Sequence, residues 1–382
     1  MNVVTVTTDF PPAVGGIQAV LYNTLRHFSV TEKMAVVAPD HPDAPAFDRG
    51  QPFAVRRFPA GRSTFPLARA SRLTRMTVET LRAVRGTRGD VVLCGHPYAS
   101  FVGLVARRVL GTPFVVWAHA KELLTYRDLL RRWLPRADAV LVISAHTRRL
   151  VEELGVDAAR TVLIPYAPDC DPAPAGDPVP AGGGAGNLIL TVARMDDLYK
   201  GHDVMLRALP LIAAKVPTVR WVVVGDGRLR VYYERMAEVL GVRDRVRFTG
   251  AVPTLEKNRL FQECRVFAMP SRDRRIDGGA EGFGLVYLEA NAFGRPVVAG
   301  RAGGTTDAVV DGETGLLVDP ENEVAVADAV VRLLTDADFA ARLGKQGAER
   351  VQKSFGWPRT AAAVEDTLAR VVRTGPVRQS RH

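Results

Sequence analysis

Short valine-rich apolar runs alternate with longer helix-patterned stretches along almost the whole chain, and few architectures satisfy that alternation. The candidate strands of the first half are Val3–Val6, Ala35–Ala38, Val91–Cys94, Phe114–Trp117 and Ala139–Ile143. Those of the second half are Leu188–Val192, Trp221–Val224, Val246–Phe248, Val266–Met269 and Pro296–Ala299. Runs without polar alternation predict strands buried on both faces, hence parallel sheets covered by helices on each side. A length of 382 residues suits two domains, since single domains usually hold about 100–200 residues. Between the halves, Ala167 to Asn187 is full of proline, glycine and alanine and poor in large apolar residues. It reads as a linker with its body at 171–187, separating an N-terminal domain, 1–170, from a C-terminal one, 188–356. The segment from Trp357 to Val372 has a helical pattern.

In open α/β sheets, ligands bind beyond the carboxyl ends of the strands. The most informative such place is Gly279-Ala-Glu-Gly-Phe-Gly-Leu-Val-Tyr-Leu-Glu-Ala-Asn-Ala-Phe-Gly294, which follows the run ending Met269-Pro-Ser271 and precedes Pro296-Val-Val-Ala-Gly300. Gly282 and Gly284 lack a Cβ and let backbone N–H groups approach an anion. The apolar residues from Leu285 open a helix, whose N-terminus attracts phosphate. Glu281 stands before that helix and Glu289 lies more than a turn inside it. A carboxylate that accepts from paired hydroxyls suits a sugar diol. Glycine turn, helix N-terminus and two carboxylates together read as a nucleotide-sugar clamp.

The same rule selects further residues. Gly15 and Gly16 follow the first strand and precede a helix; Asp9 lies at that strand's tip, where it can orient an acceptor hydroxyl. His96 follows Val91–Cys94 and His119 follows Phe114–Trp117. Arg194 and Lys200 follow Leu188–Val192 and are placed to meet a diphosphate, the arginine in bidentate fashion and the lysine as a point charge.

In this order the motifs resemble the retaining glycosyltransferases of the GT-B fold that carry a Glu-x7-Glu motif, glycosyltransferase family four. The resemblance runs over nearly the whole chain: Thr8-Asp-Phe-Pro-Pro-Ala-Val-Gly-Gly-Ile-Gln18, Val192-Ala-Arg194 with Lys200-Gly-His-Asp203, Val224-Gly-Asp-Gly227, Phe248-Thr-Gly250 and Ala302-Gly-Gly304. It is strongest toward the bacterial phosphatidylinositol mannosyltransferase branch. It implies an α/β, GT-B architecture of two Rossmann-like domains facing across a deep cleft, with a last helix (357–382) crossing back to the N-terminal domain. It implies a nucleoside diphosphate sugar as donor, GDP-mannose favoured, and no cofactor or metal. Donor contacts are expected at Gly15, Gly16, Arg194, Lys200, Gly225, Gly227, Thr249, Gly250, Ala251, Glu281, Gly282, Phe283, Gly284, Leu285 and Glu289. Acceptor contacts are expected at Asp9, Gln18, His96 and His119, and catalytic roles at His119, Arg194, Lys200 and Glu281. The segment Asp196-Asp-Leu-Tyr199 is one residue longer than in the family's nearer members, and Ala118-His-Ala-Lys-Glu122 departs from the mannosyltransferases on the acceptor side. For that reason a small soluble hydroxyl or thiol acceptor, as in actinobacterial secondary metabolism, is expected ahead of a phosphatidylinositol-type glycolipid. A non-catalytic sugar-nucleotide-binding module would lose His119, Lys200 or Glu281, and the chain has all three.

Composition narrows the classes further. Cys94, Cys170 and Cys264 are odd in number and scattered, which argues for a reducing compartment. The N-terminal segment lacks a signal-peptide pattern, and no apolar run spans a bilayer, so a cytoplasmic enzyme is expected, in the glycolipid case peripheral to the inner membrane. The net charge of +10 is uneven: eleven arginines against Glu79 and Asp90 lie between Arg56 and Arg108. Leu73, Met76, Leu81 and Val84 share one helical face, and Arg72, Arg75 and Arg82 the other, which can meet anionic headgroups or an acidic substrate. No nucleic-acid motif accompanies the basic residues. A dinucleotide oxidoreductase needs Gly-x-Gly-x-x-Gly, and Arg230 holds the third glycine's place after Gly225 and Gly227. There is no P-loop. Of two Asp-x-Asp triplets that could hold a metal, Asp169-Cys-Asp171 is in the linker and Asp336-Ala-Asp338 in a late helical region.

Overall fold

The computed structural model describes residues 1–13, 15–29, 33–59, 66–168, 186–274 and 279–374. The expected linker falls almost wholly outside them. The chain divides into two compact units, one of Met1–Tyr166 with the segment from Trp357, the other Ala167–Gly356.

The first unit is built on seven strands: β1 (Val3–Val6), β2 (Met34–Pro39), β3 (Ala54–Phe58), β4 (Val91–Cys94), β5 (Phe114–Ala118), β6 (Ala139–Val142) and β7 (Thr161–Leu163). Their order is β3-β2-β1-β4-β5-β6-β7, every pair parallel. In β1, Val3 registers with Met34 on one side and Val91 on the other. The second unit has six: β8 (Leu188–Val192), β9 (Arg220–Val224), β10 (Val246–Gly250), β11 (Val266–Met269), β12 (Val297–Gly300) and β13 (Gly315–Val318). Their order is β10-β9-β8-β11-β12-β13, again all parallel.

Parallel strands must be joined by crossovers, and right-handed helical crossovers cover both faces. The inner strands accordingly bury every residue in β1, β4 and β5. Helices start where side chains satisfy their free N–H groups. Ser144 and Thr147 form a capping box before Ala145–Glu153, and Asn322 accepts from Val324 and Ala325 before Glu323–Thr335. Such a cap contributes about 1 kcal/mol. The last helix, Trp357–Thr374, buries Ala361, Val364, Leu368 and Val371 within the first unit. Its Glu365 carboxylate accepts from Ser29 N at 2.9 Å and Ser29 Oγ at 2.8 Å.

In each sheet the winding reverses next to the first strand, between β1 and β4 and between β8 and β11. A crevice opens at the carboxyl ends of two strands whose connections leave in opposite directions.

Candidate active site

At the switch point of the second unit, Lys200 follows β8 and Glu281 follows β11, and Lys200 Nζ lies 2.7 Å from Glu281 Oε2. Both side chains are largely buried, 15% and 10% exposed. Burial pushes the Lys200 pKa down, but Glu281 and the Tyr199 hydroxyl outweigh it, so the ammonium is held above its ordinary range. The Lys200 turn, Leu198–Lys200, ends at Gly201 with φ +78°, where a Cβ would run into Pro270 O. Only glycine lets the turn sit against the end of β11.

Glu289 is the fifth residue of the helix Leu285–Ala292 and is buried; Lys257 Nζ, from the helix Thr254–Glu263, lies 3.0 Å from its Oε1. Lys257 was not anticipated from the sequence. The helix Leu285–Ala292 is fixed by the Tyr287 hydroxyl, which donates toward Met269 O at 2.8 Å and Ser271 Oγ at 3.1 Å. Gly284 precedes it at φ +91°, and a Cβ there would strike the Tyr287 ring. Gly304 N donates to Glu281 O at 2.7 Å, and Cβ atoms at Gly303 and Gly304 would collide with Glu281 O and Gly282 O. The Ala302–Gly304 loop therefore backs the Glu281–Gly282 peptide. Phe283 is buried, its ring 6.1 Å from that of Phe355. Leu285 is half-buried at the helix start.

Arg194 is 66% exposed, with Asp196 Oδ2 3.8 Å away. Gly225 and Gly227 pack under this loop: Cβ atoms there would enter the backbone of Ala193 and Met195, and Met195 N donates to Asp226 O at 2.9 Å. Their lack of a Cβ thus serves a close backbone contact within this loop, at two positions where the sequence reading expected donor contacts. Gly250, at φ +76°, pairs its carbonyl with Gly225 N at 2.9 Å; Thr249 is half-buried and Ala251 exposed beside it.

At the switch point of the first unit the same arrangement recurs. Asp9 follows β1 and His96 follows β4, with His96 Nε2 3.7 Å from Asp9 Oδ2. Asp9 also accepts from Thr8 Oγ1 at 2.7 Å and from Gln18 Nε2 at 3.2 Å. Gln18 lies on the helix Gly16–Arg26, which Gly15 precedes, and a Cβ at Gly16 would meet nothing within 4 Å. His96 Nδ1 accepts from Tyr98 N at 3.1 Å, so in the neutral ring the proton is on Nε2, facing Asp9. Burial pulls its pKa down to about 4 against the pull of Glu122 and Asp9. His119 is engaged at both ring nitrogens, by Gly95 O at Nε2 (3.1 Å) and by the Tyr166 hydroxyl at Nδ1. With Nε2–H donating to the carbonyl, Nδ1 accepts from the phenol. Burial brings its pKa to about 4 as well. The structure thus gathers Asp9, Gln18 and His96, and gives His119 two internal partners.

The arginine-rich helix, Pro66–Thr87, buries Met76 and Val84 and packs Leu73 and Leu81 against the core. Arg75 and Arg82 are exposed, with Arg82 Nη1 2.6 Å from Glu79 Oε1. Arg72 differs from the expected solvent position: it is half-buried and close enough to His96 to oppose its protonation. Cys94 and Cys264 are free buried thiols, one in each unit, their pKa values pushed up to about 12 by burial. Cys170 and the triplet Asp169–Asp171 lie outside the described residues. Asp336 caps the helix Ala337–Ser354 by accepting from Phe339 N at 3.0 Å. Among the described residues no cluster of three or more His, Cys, Asp or Glu could hold a metal ion, and no helix is long and apolar enough to cross a membrane.

Two doubly wound units, the second with a lysine–carboxylate pair at a glycine-backed switch point, have the architecture of a GT-B glycosyltransferase, and comparison with known proteins agrees. A family model described as Glycosyltransferase Family 4 matches residues 14–171, and one described as Glycosyl transferases group 1 matches residues 183–350. The chain is 34% identical over 378 residues to a Mycolicibacterium smegmatis protein, covering 95% of this chain and 97% of that one. That relative is a GDP-mannose-dependent alpha-(1-6)-phosphatidylinositol monomannoside mannosyltransferase. The present chain is also 35% identical over 258 residues, 61% of its own length and 58% of the other's, to a D-inositol 3-phosphate glycosyltransferase of Xylanimonas cellulosilytica. Its fold matches Anabaena HepE, solved with UDP and glucose, at a TM-score of 0.78, with 20% identity over 97% of this chain and 99% of that one. The chain belongs to the retaining GT-B glycosyltransferases of family four, in their phosphatidylinositol mannosyltransferase-like branch.

Proposed function

We propose that this enzyme transfers a mannosyl group from GDP-mannose, with retention, to a phosphatidylinositol-type glycolipid. The observation that carries this reading is the 34% identity to the Mycolicibacterium smegmatis mannosyltransferase across 95% of the chain. It weighs for the glycolipid over the small soluble acceptor anticipated from the sequence. A soluble polyol acceptor is the second reading, favoured by the likeness to the inositol phosphate enzyme, which extends over 61% of the chain.

On this reading the donor lies at the β8/β11 switch point. Its diphosphate meets Arg194, Lys200 and the start of the helix Leu285–Ala292, its hexose faces Glu281 and its ribose Glu289. The acceptor hydroxyl approaches Asp9, Gln18 and His96. Retention through a covalent intermediate needs a free carboxylate beneath the anomeric carbon. Glu281 is committed to Lys200 and Glu289 to Lys257, which supports front-face substitution. The bond from the anomeric carbon to the diphosphate oxygen breaks and the bond to the acceptor oxygen forms. The acceptor proton passes to the departing diphosphate, whose charge Arg194 and Lys200 stabilise. His119, occupied at both nitrogens, holds the site's shape. No metal is required, since the two cations and the helix end supply the countercharge. Exposed Arg75 and Arg82, with Arg72 behind them, meet the anionic membrane surface that carries the acceptor.

Thermal shift with GDP-, UDP- and dTDP-sugars tests the donor. Mannose transfer is then measured to phosphatidylinositol monomannoside in vesicles and to inositol phosphate in solution. Stabilisation by UDP-sugars alone, or transfer only to the soluble polyol, defeats the first reading.

A further inference from the structure

We propose that Arg272 is a positioning residue that sets the place of the Lys200 ammonium by tying the Leu198–Lys200 turn to the end of β11. This rests on the reading that Lys200 meets the leaving diphosphate. Arg272 lies three residues beyond β11, and its side chain is 4% exposed. Its Nη2 donates to both Asp203 oxygens, each at 2.9 Å, and to Leu198 O at 3.1 Å. Its Nη1 donates to Glu321 Oε2 at 3.2 Å, and its backbone N donates to Tyr199 O at 2.8 Å. Leu198, Tyr199 and Asp203 bracket Lys200 on both sides.

Arg272 also heads the connection that carries Glu281. Two residues on, the backbones of Arg274 and Gly279 pair with each other at 2.7 and 3.1 Å, closing that connection just before Glu281. One guanidinium therefore joins the two segments whose tips form the 2.7 Å Lys200–Glu281 pair. The planar fork suits this work, because it holds a carboxylate and a carbonyl in fixed directions that an ammonium cannot reproduce. Stability alone is a weak reason for such a group, since a buried ion pair often does no better than well-packed apolar side chains. The turn has need of an anchor, because a short turn without a tie would let Lys200 slide relative to Glu281.

The test uses the full chain and measures GDP release from GDP-mannose with vesicles containing phosphatidylinositol monomannoside, alongside Tm. Arg272→Lys should lower kcat by about 10- to 100-fold, the cost of misplacing a catalytic group by a fraction of an ångström to an ångström, with donor KM changed less than about threefold. Asp203→Asn, which loosens the same tie while keeping its shape, should do likewise and stands in if Arg272→Lys does not fold. Lys200→Ala is measured alone and combined with either change, and in its background each should cost less than about twofold more, because residues acting through one group are not additive. Full additivity, or a lower Tm with wild-type kcat, overturns the proposal. Wild-type kcat in Lys200→Ala alone overturns the underlying reading of Lys200, a result separable from the other two.

Discussion

Replacing Lys200 with methionine should damage catalysis and stability together, by amounts that can be worked out from its surroundings. The ammonium is 2.7 Å from Glu281, both side chains are at most 15% exposed, and the local fields hold the lysine protonated. A preorganised cation aimed at developing charge typically supplies about 10²- to 10³-fold in kcat, or about 3–4 kcal/mol of transition-state stabilisation. Methionine keeps the volume and removes the charge, so kcat should fall by that factor. The same change strands the Glu281 carboxylate in a buried place, and breaking a buried pair costs about 3–5 kcal/mol. Urea denaturation of variant and parent reads that loss. Lys200→Met with Glu281→Gln should recover most of the stability and none of the rate. A kcat within about threefold of the parent with only donor KM raised would show that Lys200 binds the ground and transition states alike, and an undiminished stability would show that Glu281 is not left unpaired.

The other predictions follow from single contacts. If Glu289 holds the donor ribose as proposed, Glu289→Gln should raise donor KM about tenfold with kcat within threefold, because such a contact is made equally in both states; steady-state kinetics against GDP-mannose checks it. Gly304→Ala places a methyl group against Gly282 O and should lower kcat/KM by roughly 10²-fold through the displaced Glu281, whereas Gly16→Ala, with open space around its Cβ, should fold normally by Tm. His96 and His119, held near pKa 4, and His202, near 3, are neutral in the fold and protonate at ordinary values once unfolded. The unfolded chain therefore binds more protons below pH 6.5, and Tm should drop steadily from there to about pH 4, while kcat shows no break near 6.5. Quenched enzyme should carry no glycosyl adduct on Glu281 or Glu289 by mass spectrometry, and the product anomer should match the donor's.

The inner strands were readable because burial on both faces leaves an unbroken apolar run, as in Val91–Cys94. The three strands that the sequence pattern missed, β3, β7 and β13, are all sheet edges. An edge strand is covered incompletely, so Ala54-Val-Arg-Arg-Phe58 alternates exposed and half-buried positions around two arginines and looks like a loop. Arg57 there is held by Asp48 at 2.6 Å and by Pro11 O at 2.8 Å, contacts with no local signature.

The residues at strand tips were equally readable, because a parallel sheet sends every carboxyl end to one side. Which of those tips meet is a property of strand order: Asp9 faces His96 and Lys200 faces Glu281 because β4 and β11 lie next to β1 and β8, across the two switch points. The supporting residues were hidden for a different reason. Lys257 reaches Glu289 from the helix before β11, Tyr166 reaches His119 from beyond β7, and Arg272 reaches Leu198 and Asp203 across 74 and 69 residues. None belongs to a motif, since each is defined by a partner rather than by its neighbours in sequence. A motif records the groups that face the substrate, and the same turn can present its lysine well or badly depending on what holds it from behind. In this chain that backing is Arg272, which holds the Leu198–Lys200 turn through Leu198, Tyr199 and Asp203.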